Sequence, residues 1–344
     1  MSERALLTGS ATDQELGAFH PALRTWFEER FPLGPTEPQA RAWPLIRAGA
    51  DVLVASPTGT GKTLTGFMVA IDTALRRGAG GLAGPGTGPE VVYVSPLRAL
   101  AADVQENLQL PLEGARAAGG SLGLCVPELT VAVRTGDTPA SERALMRRHP
   151  PDLLVTTPES LYLLVTAASS RQWLSSVRTV IVDEVHTLAR DKRGAHLSLT
   201  LERLERVVRA PRLQRIGLSA TQRPLETIAR LLVGAGGRPM PEIVDCGLRR
   251  DLDVAIELPD AELEAAASRQ QLDDVLDRIA GHVREHRTTL VFVNTRKMAE
   301  RVALQLSERL NGPSDGGAGA GATDLAVAAH HGSLSAARRR LVEA

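Results

Sequence analysis

From Asp51 to about Cys246 the chain alternates short apolar runs with stretches at helical spacing. The runs at 52–56, 91–94, 129–133, 153–155, 180–182 and 215–218 are each followed by polar turn residues and then a helical pattern. Runs this short and this continuously apolar predict strands of a parallel sheet covered on both faces. The series predicts a doubly wound α/β domain over 51–246, with ligands at the carboxyl ends of its strands. Ahead of it, 1–50 reads as a helical segment. Leu23, Trp26, Phe27 and Phe31 share one face, Pro32, Gly34, Pro35 and Pro38 break the pattern, and a second helix over 39–46 carries Trp43 and Ile46 as core. Residues 239–267 have weak periodicity and read as an interdomain connection, with the linker proper at 247–267. A second, incomplete α/β unit over 268–344 then offers helices at 272–286 and 298–310, strands at 289–293 and 325–329, and a helix opening at Leu334-Ser335. The Gly/Ala-rich segments 78–89 and 311–322 read as loops.

The first strand end holds the most chemistry: Ala55-Ser56-Pro57-Thr58-Gly59-Thr60-Gly61-Lys62-Thr63. Glycines let successive N–H groups curl around a phosphate, and the following helix directs its positive end at the same anion. Lys62 then reaches the outer phosphates and the Thr63 hydroxyl ligands Mg²⁺. Ser56 stands where the P-loop pattern has its first glycine, and a strand-to-helix turn without a ligand also uses glycine; the Gly61-Lys62-Thr63 trio favours the phosphate. Of the 40 Lys and Arg, lysine occurs only at 62, 192 and 297, so a chain that otherwise uses arginine places a compact ammonium in this loop. Asp183 and Glu184 end the 180–182 run: a metal-holding carboxylate and an acid that can take a proton from water, or two solvated turn residues. Three further strand ends, at Ser95-Pro96-Leu97-Arg98, Arg134-Thr135-Gly136-Asp137 and Thr156-Thr157-Pro158-Glu159, suit nucleic-acid phosphates, although each alone also fits a helix cap.

Composition narrows this picture only a little. Forty basic residues balance 40 acidic ones, which excludes a bulk polycation and leaves room for a local basic groove. No run approaches a membrane span and the N-terminus lacks a signal-peptide pattern. Cys125 and Cys246 have neither metal-ligand spacing nor a disulfide framework, so the expected setting is a reducing cytoplasm, with no membrane partner. With 3% aromatics, base stacking is not expected to dominate recognition.

The ordered set 55–63, 95–100, 134–138, 157–159, 183–186 and 219–221 resembles motifs I, Ia, Ic, Ib, II and III of superfamily-2 helicases of the DEAD/DEAH-box type. With Gln39, Leu290-Val291-Phe292-Val293-Asn294-Thr295-Arg296 and His330-His331-Gly332-Ser333, the wording resembles the Lhr (large helicase-related) family over essentially the whole chain. The resemblance implies a RecA-like domain followed by part of a second, and an ATP-dependent, Mg²⁺-requiring helicase or translocase. Its expected track is single-stranded DNA, moving 3′ to 5′ in DNA repair, with an RNA–DNA hybrid as the alternative partner. It implies that Gln39 reads adenine and that Ser56, Pro57, Thr58, Gly59, Thr60, Gly61, Lys62 and Thr63 bind the nucleotide. Thr63 and Asp183 would hold Mg²⁺, with Lys62, Asp183 and Glu184 as the catalytic set. His186, Ser219 and Thr221 would couple hydrolysis to movement. Pro96, Leu97, Arg98, Arg134, Thr135, Gly136, Thr157 and Pro158 would line the strand on the first domain, and Asn294, Arg296 and Ser333 on the second. The family's late arginine motif has no counterpart before Ala344, so the chain is expected to be the N-terminal part of such an enzyme, stopping before motifs V and VI. The alternative expectation is a fragment that binds ATP and nucleic acid and cannot unwind alone, since an arginine finger carries ~10³–10⁵ of phosphoryl-transfer rate.

Overall fold

A computed structural model describes residues 15–79, 88–234, 236–247, 253–259, 268–311 and 327–331. The chain divides into two compact units, Met1–Arg250 and Asp251–Ala344. In the first, helices α1 (Pro21–Arg30) and α2 (Glu37–Arg47) precede strand β1 (Val52–Ala55) and helix α3 (Lys62–Ala79). Then come β2 (Val91–Val94), α4 (Arg98–Ser121), β3 (Val131–Arg134), α5 (Ala140–Arg148) and β4 (Leu153–Thr156). Helices α6 (Pro158–Thr166) and α7 (Ala168–Leu174) lead to β5 (Thr179–Val182), the short α8 (Val185–Leu188) and α9 (Lys192–Val207). The unit closes with β6 (Gln214–Ser219), α10 (Leu225–Val233) and β7 (Glu242–Asp245).

The seven strands form one sheet in the order β3-β4-β2-β5-β6-β1-β7, every pairing parallel. Because successive strand residues point to opposite faces, each strand feeds two cores. Val52 and Val54 enter one cluster and Leu53 and Ala55 the other; Val91 and Tyr93 are divided from Val92 and Val94 in the same way. The first cluster takes up the N-terminal helices. Trp43 is fully buried edge-on to Phe19 and Phe27, with ring centroids 4.9 and 5.5 Å away, so residues before 50 are built into this domain. Burying one such side chain contributes about 1.5–3 kcal/mol.

Two strand readings change. Residues 242–245, read as connection, form the edge strand β7 paired with β1. Its half-exposed Glu242-Ile243-Val244-Asp245 lacks the continuous apolar signal of the inner strands. In the second unit, α11 (Arg269–Glu285) and α12 (Arg296–Asn311) match the expected helices and pack through Leu276, Ala280, Val302 and Leu306. Residues 289–293 and 327–329 are not strands, and Leu290 and Phe292 are 78% and 91% exposed. A parallel strand exists only against a neighbour, and among the described residues this unit supplies none. Most of the 78–89 loop, residues 312–322 of the 311–322 segment, residues 325–326, Leu334-Ser335 and Ser333 lie outside the described residues. No helix among the described residues is long and apolar enough to cross a membrane.

Candidate nucleotide and nucleic-acid site

Strand order gathers the sequence motifs on one edge. The ends of β5, β6 and β1 carry Asp183, Ser219 and the Gly-rich loop, while the three phosphate-suited turns follow the contiguous strands β3, β4 and β2. Strand β2 sits at the join.

In the loop, Gly59 and Gly61 both adopt φ +80, which L side chains reach only at a cost. A Cβ on Gly61 would lie 2.7 Å from Gln39 Nε2. Gln39, buried in the first turn of α2, accepts from the Thr36 N–H (2.9 Å) and donates to the Gly61 carbonyl (3.4 Å). Thr36 Oγ1 donates to the Thr60 carbonyl (2.9 Å), so the two residues clamp the loop from α2. Thr60 Oγ1 bonds Ser56 Oγ and the Pro57 carbonyl at 2.8 Å each. Lys62, 7% exposed at the start of α3, donates to the carbonyls of Ser56 (2.7 Å) and Pro57 (2.8 Å). Burial holds its pKa below the ordinary lysine value, opposed by the charges of Glu184 and Asp183. Thr58 is exposed at the loop tip.

Across the sheet edge a second hydrogen-bonded set begins at a residue the motif reading passed over. Tyr93, on β2, donates its hydroxyl to Asp183 Oδ2 at 2.6 Å, beside the Thr63 side chain. Burial, then the Asp183 charge, raises the Tyr93 pKa well above 10, so the phenol keeps its proton. Asp183 Oδ1 accepts from the Glu184 N–H (2.9 Å). Burial raises the pKa of Asp183 against these bonds, and burial with the Asp183 charge raises that of Glu184. Glu184 stands at φ 46, ψ 42, the one non-glycine residue of positive φ among those described. Such strain persists where surrounding structure over-determines it, and it collects at functional sites.

Glu184 Oε2 lies 3.1 Å from His186 Nε2. His186 Nδ1 accepts from the Ala220 N–H at 3.1 Å, which puts the imidazole proton on Nε2, facing Glu184. Ser219 Oγ is 3.3 Å from the same Nδ1 and donates to the Ala220 carbonyl. Burial, followed by the Arg190 and Lys62 charges, lowers the His186 pKa, so the ring is neutral at pH 7. Tyr93, Asp183, Glu184, His186 and the Ala220 N–H thus form one continuous path, with Thr63 beside its start and Ser219 beside its end. Thr221 is exposed beyond its end.

The donor set fits a magnesium nucleotide. A buried ammonium on carbonyl dipoles, two positive-φ glycines and a helix N-terminus suit a polyphosphate. The Thr63 hydroxyl and Asp183 carboxylate are hard oxygen ligands of the kind Mg²⁺ takes.

The phosphate-suited turns are tied together. Thr157 Oγ1 caps α6 by accepting from the Ser160 N–H (3.4 Å). Arg193, at the start of α9, donates to Glu159 (2.7 Å) and to the Pro96 carbonyl (2.8 Å), joining the turns after β4 and β2. Pairing it with Glu159 needs contact between distant elements, so no local pattern marks it. Arg134 and Arg143 hold the turn after β3 through the carbonyls of Thr135 (2.6 Å) and Gly136 (2.8 Å). Burial, then the Arg143 charge, lowers the Arg134 pKa, and such a crowded cationic pair suits an anion. Pro96 and Pro158 are buried and Leu97 is 56% exposed; the Arg98 side chain lies outside what is described. In the second unit Asn294 and Arg296 are exposed around the start of α12.

The model of the DEAD/DEAH box helicase family matches residues 36–229. The chain belongs to that family. It is 43% identical over 350 residues to the Lhr helicase/probable uracil glycosylase of Mycolicibacterium smegmatis, covering 95% of this chain and 22% of that protein. It is also 43% identical over 323 residues to the ATP-dependent helicase Lhr-Core of Methanothermobacter thermautotrophicus, covering 92% of this chain and 35% of the relative. Among solved structures, Mycobacterium smegmatis helicase Lhr bound to ssDNA and AMP-PNP matches at TM-score 0.77 and 42% identity, covering 96% of this chain and 40% of that one. The chain is therefore homologous to Lhr-type ATP-dependent helicases, has their RecA-like sheet, and spans between about a fifth and two fifths of the relatives' length.

Proposed function

We propose that this chain is the ATP-hydrolysing and strand-gripping part of an Lhr-type helicase that translocates 3′ to 5′ on single-stranded DNA in repair. The observation that carries the reading is the hydrogen-bonded path from Tyr93, beside Thr63, through Asp183, Glu184 and His186 to the Ala220 N–H, which runs from the Gly-rich loop to the turn after β6. ATP with Mg²⁺ supplies the phosphoryl transfer to water that drives movement.

In this reading Lys62 and the N–H groups of 58–63 hold the phosphates, Thr63 and Asp183 hold the metal, and Gln39 positions the loop beside the base. Glu184, its pKa raised, takes the proton of the attacking water. Neutral His186 donates to Glu184 through Nε2 and holds the Ser219–Ala220 turn through Nδ1, so a change at Glu184 is felt at β6. Thr221 extends that coupling. Pro96, Leu97, Arg98, Arg134, Thr135, Gly136, Thr157 and Pro158 form the phosphate track at the ends of the adjacent strands β2, β3 and β4, with Asn294, Arg296 and Ser333 on the second unit. Domain limits follow as 1–50 with 51–246, a connection at 247–267, and the second helicase domain from 268, acting in the cytoplasm.

The test is ATP hydrolysis with and without single-stranded DNA, in a protein extended through the family's later motifs. Stimulation that disappears in Lys62→Ala is expected. Absence of stimulation, or stimulation that survives the substitution, overturns the reading. Binding to single strands is expected to weaken steeply with salt, because phosphate contacts release counterions.

A further inference from the structure

In the second unit, the last turn and C-cap of α11 carry a group of side chains with no part in nucleotide or strand binding. His282, Glu285 and His286 are all exposed, and one ligand atom from each lies within 4.8 Å of those of the other two. The spacing is that of a single helix face: His282 and His286 are four residues apart, with Glu285 three from His282. We propose that they form a site for a divalent first-row transition-metal ion, Zn²⁺ being the ion that a His₂Glu set with an open fourth position suits best.

The surrounding hydrogen bonds support this beyond proximity. His286 Nδ1 is engaged by the His282 carbonyl at 2.9 Å; a carbonyl only accepts, so Nδ1 carries the proton and Nε2 keeps its lone pair. His282 Nε2 is engaged by Glu257 Oε1 at 3.0 Å, which holds the proton there and leaves Nδ1 as the free ligand atom. That Nδ1 is 4.0 Å from Glu285 Oε2. Each imidazole therefore has its outer nitrogen on an oxygen acceptor, as metal-ligating histidines do, and Glu257–His282 forms the carboxylate–histidine half of a carboxylate–histidine–metal triad. In a tetrahedral site with bonds near ~2.1 Å, ligand atoms stand about 3.4 Å apart. The three ligand atoms lie within 4.8 Å of one another, and rotation of the exposed side chains is what closes that gap. The helix C-terminus adds its negative dipole end beneath the cation. Bound metal would pin Glu257, and with it the 253–259 segment, to α11.

The experiment uses the full 344-residue chain without a histidine tag, titrated with Co²⁺ and followed by the visible absorption of four-coordinate Co²⁺, with Zn²⁺ as displacing ion. Expected is one equivalent of Co²⁺ per chain, displaced by Zn²⁺, with the band lost in the H282A/H286A double variant. Glu257→Gln keeps the three ligands and is expected to weaken affinity about tenfold or more, as loss of an outer-shell acceptor does. No band, or a band that survives in the double variant, overturns the site. Equal affinity in Glu257→Gln overturns the triad. All four residues are exposed or partly so, and circular dichroism of the variants separates lost ligands from lost helix.

Discussion

Replacing Tyr93 by Phe isolates a single hydrogen bond at the centre of the site. The ring of Tyr93 stacks on Phe67 with centroids 4.7 Å apart and planes 20° from parallel, a contact that Phe keeps. What disappears is the hydroxyl donating to Asp183 Oδ2 at 2.6 Å. A hydrogen bond to a charged group contributes about 1.5–3 kcal/mol net, and the short O–H···O⁻ distance puts this one among the stronger. Burial already raises the Asp183 pKa, and the Tyr93 bond is the largest force lowering it, so Phe moves it further up. The sign follows. Above the variant's Asp183 pKa the full loss is felt; below it the difference shrinks, and it levels off below the parent's lower pKa, where both proteins carry a neutral acid. Urea unfolding of the two proteins at pH 8 and at successively lower pH measures this. Expected is a loss of about 1.5–3 kcal/mol at pH 8 that diminishes as the pH falls through the range in which Asp183 takes up its proton. A difference below about 0.5 kcal/mol at pH 8, within the range of an ordinary surface substitution, refutes the assignment. In the proposed site, where Asp183 holds the metal, Phe is also expected to raise the Mg²⁺ concentration needed for half-maximal nucleotide binding.

Two further outcomes rest on separate parts of the fold. Gly61→Ala places a Cβ 2.7 Å from Gln39 Nε2 at φ +80 and is expected to destabilise by about 1–2 kcal/mol or more while lowering nucleotide affinity; thermal melts and equilibrium binding read the two effects. His20 Nδ1 accepts from the Ala22 N–H at the start of α1, and burial followed by the Arg76 charge lowers its pKa. A histidine depressed in the fold takes up its proton more readily when unfolded, so stability drops as pH falls below about 6.5, the unfolded value, towards the folded one. His20→Asn keeps an acceptor without titrating and is expected to flatten that part of the pH–stability curve.

What could be read from sequence divides along physical lines. Strands β1, β2, β4, β5 and β6 were legible because both their faces are covered, which leaves nearly uninterrupted apolar runs. Strand β7 was not, since an edge strand with one covered face reads like polar connection. In 289–293 the opposite occurs: the strand pattern is present and no ladder partner is described to realise it. The Gly-rich loop and the Asp183-Glu184 pair were visible because each is a short local stretch at a strand end, and the fold sets both on one edge of the sheet. Tyr93 and Arg193 escaped because their roles depend on which strand ends become neighbours: Tyr93 looks like one more core residue of β2, and Arg193 one more surface arginine. Gln39 was placed from a motif, and the fold adds its contact with the Gly61 carbonyl.

The most direct measurement is equilibrium binding of a fluorescent ATP analogue, with and without Mg²⁺, to the chain, to Lys62→Ala and to Glu184→Gln. With Lys62 on the phosphates and Glu184 acting only on the attacking water, Lys62→Ala is expected to lose about 10- to 150-fold in affinity, the equivalent of a charged hydrogen bond. Glu184→Gln is expected to bind as tightly as the parent while failing to turn over. Equal binding by Lys62→Ala, or affinity indifferent to Mg²⁺, contradicts the assignment of this strand edge as a magnesium–nucleotide site.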